Sequence, residues 1–156
     1  MYNVQSPNYA RKNMNGKLHV VLDSVVAVSA FLTTGLASEL VFQCREKVHL
    51  YTAEEILQEI RHVLLEKDHI RKRYDYSQAD VDIFLNRLRE ISGIVKQLPE
   101  IQVIERDPKD DMIIACAVAS SADYIVSRDK HLLDLGKYQG IQIVTPENFM
   151  QMLREI

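Results

Sequence analysis

Short apolar runs alternate with stretches of helical period along most of this chain. Leu18–Leu22 is apolar and β-branched and reads as a strand. Ser24–Thr33 fits two patterns: Val25, Val26 and Val28 suit a strand, while Ala27, Ala30, Phe31 and Leu32 suit a buried helix. The polar break at Asp23-Ser24 favours the helix. Gly35 stops it, and a second helix is predicted from Ser38 to about Glu46. Val48–Tyr51 reads as the next strand. Thr52, with Glu55 three residues on, has the form of a capping box and opens a helix to about Lys67. A further helix runs from Ser77 to about Ser92, where Gly93 ends it, and short strands are predicted within 94–97 and 101–104. Asp107-Pro108 opens a helix through Ser120, Tyr124–Ser127 is a strand, a short helix covers 130–134, and Ile141–Val144 is the last strand. Thr145-Pro146 then starts a terminal helix, with proline at its first position.

Strands alternating with helices predict an α/β domain whose parallel sheet is covered on both faces. The chain has 156 residues, which suits one domain. Residues 1–17 are polar and without periodicity and are expected to form a flexible extension, with Met14 as an alternative start to Met1. Residues 18–156 form the folded domain. Hydrophobic content is 47% and net charge −3, so any nucleic-acid contact must come from a local basic patch. The densest is Arg71-Lys72-Arg73, next to Tyr74, which otherwise reads as a solvated loop. Cys44 and Cys116 form no CxxC pair, and no secretory signal or membrane-length apolar run is present. These features predict a cytoplasmic protein without membrane attachment. His62 and His69 match no common metal spacing, and no Gly-rich nucleotide motif occurs.

The informative residues are acids placed near the carboxyl ends of strands, where parallel α/β sheets bind ligands. Asp23 follows the first strand, where it serves equally well as a helix N-cap. Glu59 lies about 100° from the centre of its helix's apolar stripe, nearer the buried side than Glu54, Glu55 or Glu66. Asp107 is the expected N-cap and Asp110 its capping-box partner, which leaves Asp111 unexplained by local structure. It opens the long uncharged run Met112–Ala122. Asp129 follows the strand Tyr124–Ser127 by one residue, again as a cap or a ligand. Asp123 reads as a turn residue. Carboxylates brought together repel, and a divalent cation with hard oxygen preference is the natural neutraliser. Mg²⁺ or Mn²⁺ in such a place acts on phosphodiesters.

Val20-Val21-Leu22-Asp23, Thr52–Ile60, Arg106–Asp111 and Ala122–Asp129 occur in this order and spacing. With Leu133–Thr145 and its Gly136 and Gly140 turns, they resemble the PIN domain, a metal-dependent ribonuclease family, from about Leu18 to Leu153. The resemblance is closest to the VapC-like toxins of type II toxin–antitoxin pairs. It implies a three-layer α/β/α, Rossmann-like fold with a five-stranded parallel sheet in the order 3-2-1-4-5. It implies that Asp23, Glu59, Asp111 and Asp129 bind Mg²⁺ or Mn²⁺, with Ser127 and Ser24 in support. It further implies an RNA substrate, a small antitoxin partner and a homodimer; the basic run Arg71, Lys72 and Arg73 is the candidate phosphate contact for such an RNA. The chain departs from the family at one place. The usual Asp-Thr-Asn is Asp23-Ser24-Val25, so an amide that helps hold the site is missing. The alternative is therefore a degenerate PIN-like module that binds RNA or protein without cleaving.

Overall fold

The computed structural model describes residues 16–103 and 107–156. The expected N-terminal extension up to residue 15, with Met14, lies outside the described residues, as do Ile104 and Arg106. The strands are β1 (Leu18–Leu22), β2 (Val48–Thr52), β3 (Ser92–Ile94), β4 (Tyr124–Val126), β5 (Lys137–Tyr138) and β6 (Ile141–Val144). The helices among the described residues are α1 (Ser24–Leu32), α2 (Leu36–Gln43), α3 (Glu54–Glu66), α4 (Asp68–Arg73), α5 (Gln78–Ile91), α6 (Pro108–Ala119), α7 (Lys130–Leu135) and α8 (Pro146–Arg154).

One sheet runs in the order β3-β2-β1-β4-β6-β5. Its first five members are parallel, in the connectivity expected from the sequence, with β6 as the fifth strand. β5 is an addition, paired antiparallel to β6. Gln139 and Gly140 join the two with φ of 49° and 84°. A two-residue hairpin needs left-handed backbone at both positions to match the strand twist. Glycine meets that need without strain, and Gln139 accepts it because the pairing of Tyr138 with Ile141 closes the loop.

Right-handed crossovers place α1–α5 on one face of the sheet and α6 and α7 on the other. α1 packs on α2 and α3, α8 on α2, and α6 on β1, β2 and β4. Burial on both faces explains why β1 and β4 are almost continuously apolar. Leu18, Val20, Val21, Ile125 and Val126 are fully buried between the layers. Among the described residues no single helix is long and apolar enough to cross a membrane.

Some local expectations change. Thr52 still pairs with Ile94 in β2, so it cannot cap α3; Ala53 takes that place and no capping box forms there. The box appears instead at Ser77 and Asp80 on α5. β3 starts at Ser92, before the predicted 94–97, and Ile101–Val103 has no strand structure. The basic segment is the short helix α4 and not a loop. Asp123 is no exposed turn residue: it is fully buried, and its carboxylate accepts from the His19 N–H at 2.7 Å. The Asp123 N–H donates in turn to the His19 carbonyl at 2.7 Å. This reciprocal pair fixes the lower end of the β1–β4 register.

Gly93 sits where the Tyr51 ring crosses β3. A Cβ added there would lie 2.6 Å from Tyr51 Cδ1 and Cε1, and that ring stacks on His49 at 4.5 Å. Gly93→Ala is expected to cost about 1–3 kcal/mol in denaturant unfolding through overpacking. In a double-mutant cycle, Tyr51→Ala should recover most of that loss, because it removes the ring that the new methyl meets.

Candidate functional site

The register of the two central strands assembles the site. Leu22 of β1 pairs with Val126 of β4, so the residues just beyond them, Asp23 and Ser127, become neighbours. The Asp23 N–H donates to the Val126 carbonyl at 2.9 Å, continuing the ladder past the strand. Ser127 is fully buried, and its hydroxyl donates to Asp23 Oδ2 at 2.6 Å. Ser127 Oγ in turn accepts from the Asp129 N–H at 2.9 Å, which directs the hydroxyl proton to the carboxylate. Asp129 Oδ1 caps α7 through the N–H groups of His131 and Leu132. The cap and ligand roles weighed for Asp129 are therefore compatible.

α6 contributes from the opposite side. Asp107 is its N-cap, with Oδ1 accepting from the Lys109 N–H at 3.0 Å, and Pro108 follows. Asp110 does not act as a capping partner. It is 5% exposed, and its Oδ2 is buried without a hydrogen bond. One carboxylate oxygen from each of Asp107, Asp110 and Asp129 lies within 4.8 Å of the others. Burial is the largest cause pushing the Asp110 carboxyl up, to about 8; the charges of Asp129 and Asp107, a side-chain hydrogen bond with Asp129, and the charge of Asp23 add to it. Asp23 is also raised, chiefly by burial and also by the charge of Asp129, against the opposing hydrogen bond from Ser127 and the amides of Ser24 and Val25.

The four acids singled out from the sequence separate here. Asp23 and Asp129 share Ser127. Asp111 is turned to the other side of the α6 N-terminus, where its Oδ1 accepts from the Val103 N–H at 2.9 Å. It lines a cleft of about 870 Å³ with Leu98, Ile101, Pro108 and Met112. Glu59 is largely buried and forms an ion pair with Lys109 at 3.0 Å. Asp110 and Asp107, set aside as capping residues in the sequence, join Asp129 instead. A signal for Asp110 does exist: it lies three, four and seven residues before Ile113, Ile114 and Ala117, which are all buried. Because α6 is apolar on every side beyond its first turn, periodicity alone did not separate Asp110 from Asp111.

Of the supporting residues, Ser24 is buried. Val25, in contrast, is 54% exposed, so its side chain supplies nothing to the cluster. Arg71, Lys72 and Arg73 are exposed on α4; Arg71 lies 5.5 Å from the Tyr76 ring and Arg73 5.6 Å from the Tyr74 ring. His62 and His69 are exposed and join no metal-ligating group among the described residues.

The cluster predicts a pH dependence. Asp110 binds its proton more tightly in the folded chain than in the unfolded one. Between its ordinary value of 3.8 and about 8, the folded state therefore holds more protons, and stability falls as pH rises. Without divalent cations, Asp110→Asn should raise the melting temperature at pH 8 by about 2–4 °C, equivalent to ~1 kcal/mol, and leave it nearly unchanged at pH 4. Thermal melts in a chelating buffer measure this; a lower melting temperature at pH 8 contradicts the assignment.

Comparison with known proteins identifies the family. The family model for the PIN domain matches residues 19–131. Among solved structures, the VapBC2 complex from Rickettsia felis bound to a DNA fragment from its promoter contains a chain that aligns with a TM-score of 0.54 at 12% identity. That alignment covers 81% of this chain and 97% of the other. PAE2754 from Pyrobaculum aerophilum aligns with a TM-score of 0.54 at 15% identity, over 99% of this chain and 100% of its own. No curated protein matches in sequence. The match to the family model spans most of the domain and includes both central strands with the acids beyond them, so the chain belongs to the PIN domain family.

Proposed function

We propose that this protein is a Mg²⁺- or Mn²⁺-dependent endoribonuclease, the toxin of a type II toxin–antitoxin pair. The observation that carries the reading is the Asp110 carboxylate, whose Oδ2 is buried without a hydrogen bond and which gathers with those of Asp107 and Asp129. A buried acceptor that lacks a donor, surrounded by like charges, is costly unless a cation arrives. The donor set is entirely carboxylate oxygen, which suits Mg²⁺ or Mn²⁺ and disfavours softer metals. Asp110, Asp129 and Asp107 would hold the ion, with Asp23 completing the group. Bound there, the ion would polarise a phosphodiester and make hydroxide available near neutral pH.

The chain's own residues do the remaining work. Ser127 aims the Asp23 carboxylate and ties it to the backbone at Asp129. The positive end of the α6 dipole offsets part of the charge on Asp107 and Asp110. Arg71, Lys72 and Arg73 offer phosphate contacts, with Tyr74 available to stack on a base. The R. felis complex, which holds a VapBC pair and promoter DNA, supports an antitoxin partner for this chain. A homodimer and a cytoplasmic setting belong to the same reading. Exposed Val25 favours a second reading, a PIN-like module that binds RNA or a partner protein without cutting. A lost supporting contact costs about 10- to 100-fold, which leaves weak activity in place of none.

Incubating the protein with RNA and Mn²⁺ should release fragments, and a chelator should stop the reaction. Asp110→Asn is expected to lower the rate by about 100-fold, and to lower it more than Asp111→Asn does. Cleavage that survives Asp110→Asn removes the proposed site. Val25→Asn should raise the rate by about 10-fold. No cleavage by either the parent or Val25→Asn, with any divalent ion, favours the binding module.

A further inference from the structure

The amino ends of β1 and β2 carry a second gathering of charge, opposite in sign to the first. On its outer side β2 has a sheet neighbour only from Leu50 onward, where Ser92 of β3 pairs with it. Below that point a pocket of about 160 Å³ opens between β2 and α2. Its floor is apolar: Leu40 and Val41 of α2, Val48 and Leu50 of β2, and Ile91 at the end of α5. Its rim is basic: Lys17, Arg45 and His49. Among the described residues that line it there is no acid, although the chain as a whole has a net charge of −3. The acidic cluster lies past the other end of β1, roughly 20 Å away along the strand.

The rim has no counter-charge. Neither Lys17 nor Arg45 joins an ion pair among the described residues, whereas Arg61, Arg89, Arg128 and Arg154 each meet a carboxylate. Glu39, the one acid of α2, is turned to Arg154 at 3.8 Å. His49 is held by stacking on Tyr51 at 4.5 Å, with the ring planes 14° apart, and by an edge contact with His19 at 5.8 Å. Burial pushes the His49 imidazole below its ordinary value, and the charges of His19 and Lys17 push it further. Basic groups gathered round apolar surface repel one another, and an anion relieves them. A cavity of this size holds a single six-membered ring.

We propose that this pocket binds a small organic monoanion, a carboxylate on a compact apolar body of about one ring. The apolar body lies on Leu40, Val41, Val48 and Ile91, and the carboxylate meets Lys17, Arg45 and the His49 ring. The ligand supplies the counter-charge that the chain leaves out. An inorganic anion gains nothing from the floor and a neutral ring gains nothing from the rim, so only a molecule with both parts matches. The site is remote from the acidic cluster and stands whether or not the chain cleaves RNA.

Benzoate is the probe. It is titrated into the full chain, free of divalent cations, while the His49 ring protons are followed by NMR and assigned with His49→Gln. A saturable shift with a dissociation constant of about 1 mM is expected. Benzamide keeps the ring and loses the charge, and acetate keeps the charge and loses the ring; each should bind at least about 10-fold more weakly. Lys17→Met and Arg45→Met should each weaken benzoate about 3- to 10-fold. Lys137→Met, which removes an exposed cation on β5, should leave the affinity within about 1.5-fold. Lys17 and Arg45 are themselves exposed, so both variants should fold, and their melting temperatures check this. Bound benzoate should also raise the pH at which His49 titrates by about half a pH unit, because an adjacent anion favours the charged ring. The proposal is overturned by no saturable shift up to about 20 mM benzoate. Equal affinity for benzamide or acetate overturns it too, as does an affinity untouched by both Lys17→Met and Arg45→Met, an equal loss in Lys137→Met, or a fall in the pH at which His49 titrates.

Discussion

The parallel pairing of β1 with β4 is the constraint on which the rest depends. These strands are adjacent in the sheet yet a hundred residues apart in the chain, as the 104-residue separation of Asp23 and Ser127 records. At one end, His19 and Asp123 exchange hydrogen bonds between backbone and carboxylate. At the other, the Ser127 hydroxyl donates to the Asp23 carboxylate. A slip by one residue would turn every side chain of a strand to the opposite face. It would also part Asp23 from Ser127. Both ends of the seam are thus held by groups that tolerate only one register.

The acids beyond that seam are held together against their repulsion by the surrounding structure. α6 cannot swing its first turn away, because Ile113, Ile114, Cys116 and Ala117 are fully buried beneath it. α7 cannot release Asp129 without losing its cap. Hydrophobic burial of a few residues on each helix therefore sustains an electrostatic arrangement that would disperse in water. The raised Asp110 and Asp23 carboxyls register that strain. Sites that act on charged substrates are often built in this way, with perturbed groups backed by a rigid core.

The fold was largely legible because its signals are local. Apolar β-branched runs marked β1, β4 and β6, and Asp107-Pro108 and Thr145-Pro146 marked the starts of α6 and α8. Less legible were features decided by pairing. Thr52 has the composition of a cap, yet β3 claims it for the sheet. Lys137–Tyr138 is too short to stand out, and only the hairpin turn makes it a strand. In the candidate cluster, Asp23 and Asp129 stood out because they follow strands closely. Asp110 did not, because a capping role accounts for an acid at its position equally well and the choice between neighbouring acids turns on rotation about a uniformly apolar helix. The partner of Glu59 was also beyond the sequence, since nothing local links residue 59 to residue 109.

The hairpin that adds β5 has a consequence at the margin of the sheet. An open parallel sheet exposes unpaired N–H and C=O groups along its outermost strands, a template for joining other chains. Here one margin ends in the three residues of β3 and the other in the two residues of β5. The longer strands that could serve as templates lie inside. Among the described residues, then, the sheet offers little length for another chain to extend it by strand addition. Such blunted margins leave the helical faces as the larger surface for meeting another chain, while the sheet resists fusing with copies of itself.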